Sequence, residues 1–148
     1  MRRTLIVLAV VPMLAACGGD GGNRLSKTDY AARANAICAR FNRQVTSFGG
    51  ATTMHDLAQL SARTLPALDT ATRRLRKLRP PKDEDAAARR WLSSMEQLHA
   101  DVARIRDRAA ANDLRGVQRL IPGATRDNRL SDRLANGLGA TTCAQTQR

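Results

Sequence analysis

The chain reads as an all-α protein: a four-helix up-down-up-down bundle behind an N-terminal signal segment and a flexible tether. Three observations predict this. Apolar residues recur every three or four positions along four long stretches, which is the period of an amphipathic helix. Glycine pairs, a proline pair and Asn112-Asp113 separate those stretches, and such residues end helices. No stretch alternates apolar and polar with the period of two that a half-buried strand requires.

The first residues have a different character. Arg2 and Arg3 precede an apolar run from Leu5 to Ala16 that closes on small residues. That is the three-part pattern of a secretory signal. A spanning helix needs about 20 apolar residues, so the run is too short to be a permanent anchor by itself. Leu14-Ala15-Ala16-Cys17 resembles the bacterial lipobox. The resemblance implies cleavage before Cys17, a lipid on its thiol and an acyl chain on the new amine. Two or three such chains hold a protein to a bilayer almost permanently, at about 0.8 kcal/mol per buried CH₂. The alternative is an ordinary secreted protein cut after Ala16. Residues 17–25 then form the lipidated cysteine and the tether, whose Gly18-Gly19-Asp20-Gly21-Gly22-Asn23 segment cannot hold regular structure cheaply.

Residues 26–148 form the helical domain, long enough for one real core. Ser26 with Asp29 three residues on fits a relaxed capping box. Tyr30, Ala34, Ile37, Phe41, Val45 and Phe48 make the apolar stripe of the first helix, with Cys38 at its edge, and Gly49-Gly50 ends it. The second helix starts at Thr52 or Thr53 with Asp56 as its capping partner. Its stripe runs from Leu57 through Leu60, Thr64, Leu68, Ala71 and Leu75 to Leu78, and Pro80-Pro81 stops it. Pro66 lies inside this pattern, which predicts a kink or a break there.

The third helix begins near Lys82-Asp83-Glu84-Asp85, with acids at the end where the helix dipole favours them. Ala88, Trp91, Met95, Leu98, Val102, Ile105 and Ala109 follow at helical spacing, and Trp91, the one tryptophan, is expected in the core. The fourth helix spans Leu114 to Leu138, with Val117, Leu120, Ile121, Ala124, Leu134 and Leu138 as its apolar members. Pro122 predicts a second kink or short break, and Gly139 is a plausible C-cap. Short connections make the first and fourth helices antiparallel neighbours.

Three cysteines are present. With Cys17 lipidated, Cys38 and Cys143 remain, and two thiols in an oxidising compartment form a natural pair. A loop of about 100 residues is worth roughly 4.7 kcal/mol in the chain-entropy model. The other reading is two buried free thiols. If the link forms, the tail after Gly139 must fold back along the first helix, or that helix must overhang the bundle.

Asp29-Tyr30 leading to Ala34-Asn35-Ala36-Ile37-Cys38, with Ala135-Asn136-Gly137-Leu138-Gly139 and then Cys143, resembles a group of small envelope lipoproteins of high-GC Gram-positive bacteria. The resemblance lies at the two ends of the domain. It implies a helical fold, a Cys38–Cys143 link and a place on the outer face of the cell membrane, and it supplies no catalytic residues.

Charge is the strongest remaining signal. The chain carries 25 Lys+Arg against 13 Asp+Glu, a formal +12. Arginine and alanine share GC-rich codons, which accounts for part of the bias. Arg73, Arg74, Arg76, Lys77 and Arg79 crowd the end of the second helix, where the dipole favours cations. They are candidates for contact with anionic lipid, a wall polymer or another envelope protein, at about 1 kcal/mol per residue near a charged surface. Arg104, Arg106, Arg108, Arg126, Arg129 and Arg133 add to the charge. Nucleic acid is not expected, because the aromatic residues that would stack on bases sit on core stripes.

His55 and His99 are the only histidines, and no Glu-x-x-His or Cys-x-x-Cys-His motif accompanies them. No metal or other cofactor is therefore expected. A Gly-x-Ser-x-Gly motif is absent too, and the acids at Asp83, Glu84 and Asp85 are explained by the helix start. The expectation is a membrane-anchored, non-enzymatic interaction module. The alternative is a binder of an apolar small molecule, in a bundle that opens at Pro66 and Pro122. An enzyme is disfavoured.

Overall fold

A computed structural model describes residues 24–145. The signal run, Cys17 and the glycine-rich tether lie outside the described residues, as do residues 146–148. Four α-helices follow one another: α1 Lys27–Thr46, α2 Met54–Arg76, α3 Asp85–Ala110 and α4 Leu114–Gly137. A 3-10 turn, Lys82–Glu84, leads into α3, and a second, Thr141–Gln145, follows α4. The described residues contain no strand, so the all-α bundle expected from the periodicity is the fold.

Local chemistry sets the helix ends. The Ser26 hydroxyl accepts a hydrogen bond from the Asp29 N–H at 3.1 Å and starts α1. Thr53 and Asp56 close a reciprocal capping box at the start of α2, satisfying two N–H groups that a helix start leaves without partners. Asp113 caps α4 through the Gly116 N–H at 2.8 Å. At the other end of α4, Gly139 takes φ +73°. Its N–H donates to the Asn136 carbonyl, and the Ala140 N–H donates to the Ala135 carbonyl. That pair of bonds is the Schellman arrangement, which needs a left-handed residue at this point. A Cβ on Gly139 would also press on Ala31 Cβ at 3.1 Å.

Neither proline divides its helix; α2 and α4 run through Pro66 and Pro122. Both prolines are exposed, as are Ala62 and Gln118, whose carbonyls lose their partners. Those carbonyls face water instead of the core, so the missing bond costs little.

Most of the core lies toward the end where the chain enters and leaves. Trp91, Tyr30, Leu75 and Leu138 are fully buried there, with Ala34, Cys38, Leu68 and Met95 in the same cluster. Cys38 is thus inside the stripe of α1, one turn on from Ala34. A smaller cluster, Ile105, Ala109 and Val117, lies near the α3–α4 connection, and Met54, Leu57, Leu120 and Ala124 pack on it. No residue of α1 belongs to this second cluster.

The first and fourth helices do not share an extensive seam. The C-terminal 3-10 turn packs against both and stands in its place. Its fastening is specific. Asn35 Nδ2 donates to the Gly139 carbonyl at 3.1 Å, the Thr142 N–H donates to Asn35 Oδ1 at 2.8 Å, and Asn42 Nδ2 donates to the Thr142 carbonyl at 3.1 Å. The Cys38–Cys143 disulfide completes the attachment, with 5.0 Å between Cα atoms and 105 residues between partners. The tail thus folds back along α1, the first of the two routes open to it.

The entering chain is fastened as well. The Leu25 N–H donates to the Arg79 carbonyl at 2.8 Å. Arg24 reaches the Pro80 carbonyl at 3.0 Å and the Asp85 carboxylate at 2.9 Å. The Arg24 hydrogen bond and charge hold the Asp85 carboxyl below the usual carboxylate range.

Candidate binding site

Of the five basic residues singled out at the end of α2, two are neutralised where they stand. Arg73 pairs with Asp69 one turn earlier, and Arg76 pairs with Glu96 of α3. Arg74, Lys77 and Arg79 are exposed and make no ion pair among the described residues. Arg104, Arg106 and Arg108 pair with Asp101, Asp107 and Asp113. Arg126 lies 4.0 Å from Asp127, while Arg129 and Arg133 remain exposed on α4. The positive charge is therefore spread over several helices instead of forming one face, and its unpaired part at the α2 end comes down to three residues.

A different feature has the shape of a site. Beneath the disulfide, where α1 and α4 stand apart, lies a partly enclosed cavity of about 170 Å³. Phe41 and Val45 of α1, Leu68 of α2, and Leu98 and Val102 of α3 line its apolar wall, and the Cys38–Cys143 bridge forms one end. Four of its residues, Leu98, Val102, Asn128 and Asp132, also line an open groove of about 600 Å³ between α3 and α4. The cavity and the groove thus share a wall.

The polar atoms of this cleft have a common character. Asn42 Oδ1 and Asp101 Oδ2 are buried with no hydrogen-bond partner. Asp101 is 5% exposed; its Oδ1 takes Gln97 at 3.4 Å and Arg104. Asp132 accepts from Asn128 Nδ2 at 3.3 Å, has no ion-pair partner among the described residues, and is held above the usual carboxylate range by burial. Of the three, the half-buried Asp132 carboxylate is the acceptor within reach of whatever enters; Asn42 Oδ1 and Asp101 Oδ2 are enclosed by the protein. Ser131 and Thr64, by contrast, spend their hydroxyls on Met95 Sδ and the Leu60 carbonyl.

The periodicity held a signal for this cleft. Leu98, Asp101, Val102 and Ile105 fall on one face of α3, so Asp101 is a carboxylate on an apolar stripe. In α4 the apolar residues at core spacing stop at Ala124 and resume at Leu134. Asn128, Ser131 and Asp132 occupy that gap and face the cleft. Asn42, one turn after Cys38, left no such mark, because its role depends on a tail residue 100 positions away.

His55 is exposed and bonds Gln59; His99 is half-buried, and neither lines the cleft. Among the described residues no three His, Cys, Asp or Glu side chains are placed to hold a metal ion. The cleft offers shape, apolar surface and acceptors, which are the means of non-covalent binding. No protein-family model, curated protein or solved structure matches this chain.

Proposed function

We propose that this chain is a lipoprotein of the cell envelope, anchored through Cys17 to the outer face of the cell membrane and working as a non-enzymatic binding module. One observation carries the reading. The Leu25 N–H bonds the Arg79 carbonyl, so the chain coming from the anchor enters the domain beside Arg74, Lys77 and Arg79. An anchor at that end turns the three unpaired cations toward the bilayer. Near an anionic surface each contributes about 1 kcal/mol. The domain is then held by lipid and oriented by charge. The disulfide supports the same compartment, because such links persist where the surroundings are oxidising. The resemblance of Leu14-Ala15-Ala16-Cys17 to a lipobox supplies the anchor. No helix among the described residues is long and apolar enough to cross a membrane.

Fractionation and vesicle binding test this in two steps. The full chain is expected in the membrane fraction of its host, and Cys17→Ala in the released fraction. Cys17→Ser chain, recovered soluble, is expected to cosediment with phosphatidylglycerol vesicles at low salt and to leave them at high salt, as screened charge must. Arg74→Gln, Lys77→Gln and Arg79→Gln together remove that binding. Equal binding to phosphatidylcholine vesicles, or no effect of the triple change, would overturn the orientation by charge. Retention of Cys17→Ala in the membrane would overturn the anchor.

A further inference from the structure

We propose that the cleft beneath the Cys38–Cys143 bridge is a binding site for an amphiphilic amine, with its apolar part in the cavity and its ammonium at Asp132. The site stands on its own geometry and does not depend on the lipid anchor or on the Arg74 cluster.

Size defines the apolar part. An apolar cavity of about 150 Å³ takes up benzene, so one of about 170 Å³ holds a single ring or a short branched chain. The groove that shares its wall along α3 and α4 lies on the Asp132 side, next to the head group. The walls at Phe41, Val45, Leu68, Leu98 and Val102 provide the apolar contact that drives such binding.

Charge defines the head group. Beyond the first turns of the helices, the other acids of this arginine-rich chain are paired: Asp69 with Arg73, Glu96 with Arg76, Asp101 with Arg104, Asp107 with Arg106 and Asp127 with Arg126. Asp132 is the exception among the described residues. It serves no helix start, and its neighbour Asn128 gives it one neutral hydrogen bond. A carboxylate drawn partly out of water without a counter-ion is costly, and a ligand ammonium removes that cost. No cation lines the cavity; Arg129 stands in the groove, beyond the enclosed part. An anionic amphiphile of the same shape meets the Asp132 carboxylate and is repelled.

Calorimetric titration of the full chain carrying Cys17→Ser, with octylamine, 1-octanol and octanoate, tests the assignment. Octylamine is expected to bind at least tenfold more tightly than octanoate, with 1-octanol between them. Asp132→Asn keeps the side-chain volume and is expected to bring octylamine and 1-octanol to the same affinity. Val102→Phe fills the cavity and is expected to abolish binding of all three, its fold being checked by circular dichroism. Should Val102→Phe fail to fold, Asp132→Asn still decides the matter. Octanoate binding as tightly as octylamine, a preference that survives Asp132→Asn, or no binding by any of the three would overturn the proposal.

Discussion

At the Trp91 end of the molecule, four helices and the C-terminal turn converge on one cluster in which Trp91, Tyr30, Leu75 and Leu138 are fully buried. At the Ile105 end, three helices share a cluster of Ile105, Ala109 and Val117, and the α3–α4 groove lies open between the two ends. The difference traces to where the chain is tied. Arg24, Leu25, Asn35, Asn42 and the disulfide all fasten the ends of the chain to the first half. No comparable link crosses from α1 to the second cluster. The fastening contacts are concentrated at the end where residue 24 enters the domain, and the cleft sits where closure is incomplete. Sites of binding drawn from the less tightly packed part of a fold are a general expectation.

Paired truncations break the comparison most sharply. Trp91→Ala removes the largest buried side chain and is expected to cost about 3–5 kcal/mol. The lower part of that range applies, because the indole N–H at Nε1 is already without a partner and its loss relieves an unsatisfied donor. Val102→Ala, on the half-buried wall of the cleft, is expected to cost roughly 1 kcal/mol or less at about 0.8 kcal/mol per buried CH₂. Urea unfolding of both variants measures the two costs, and equal values would mean that the cleft wall is packed as tightly as the Trp91 cluster. Cys38→Ser with Cys143→Ser comes next, at about 2–5 kcal/mol by the same measurement. Amide exchange should then rise first at Asn35, Asn42 and Thr142, where the tail is attached.

Helix ends were legible because their causes are local. Ser26 with Asp29, Thr53 with Asp56 and Gly139 act within a few residues of themselves, and each marks the end it was assigned; α2 ends at Arg76, four residues before Pro80 and short of the Leu78 expected on its stripe. The disulfide followed from counting thiols. The break allowed for at Pro66 and Pro122 did not appear, because a helix tolerates a proline at an exposed position. The cleft was legible only in part. Asp101 on an apolar stripe and the polar gap between Ala124 and Leu134 were visible in the sequence. That they face one space under the Cys38–Cys143 bridge depends on the tail displacing α4 from α1, a long-range arrangement that periodicity does not encode. Likewise, Arg73 has its partner Asp69 one turn away, whereas Arg76 finds Glu96 on another helix. Counting cations therefore overstated the free charge.

Thr53→Ala is a smaller perturbation at the α1–α2 connection. Loss of this capping hydroxyl is expected to cost about 1 kcal/mol, read in the same unfolding experiment. Its exchange signature should stay within the first turn of α2 and leave the disulfide-tied half unchanged. If the Trp91 cluster responded equally, the two halves would be one cooperative unit and the contrast between them would have no energetic meaning.

Acid titration gives the smallest effect and the finest contrast, because two carboxylates, one in the Arg24 clamp and one in the cleft, are displaced in opposite directions. An unfolded aspartate titrates near pH 3.9, about its model-peptide value. Burial raises the Asp132 carboxyl above that, with Arg129 and Asp101 along the same groove. The folded state therefore holds more protons than the unfolded chain in the window just above about pH 4, and stability falls as pH rises through it. Asp85 is held low by Arg24, so its contribution is complete above about pH 4 and fades as pH falls through its depressed folded value. Lowering the pH from 7 toward about 4 thus relieves the cleft while the Arg24–Asp85 clamp remains closed; further acid releases the clamp. Melting curves of the wild type and Asp132→Asn between pH 3 and 7 isolate the first event, since every other carboxylate is common to both. The wild type should gain on the variant as pH approaches about 4. Parallel curves would mean that Asp132 is as well solvated as any surface acid, and the cleft would lose the one feature that distinguishes its chemistry from the rest of the bundle.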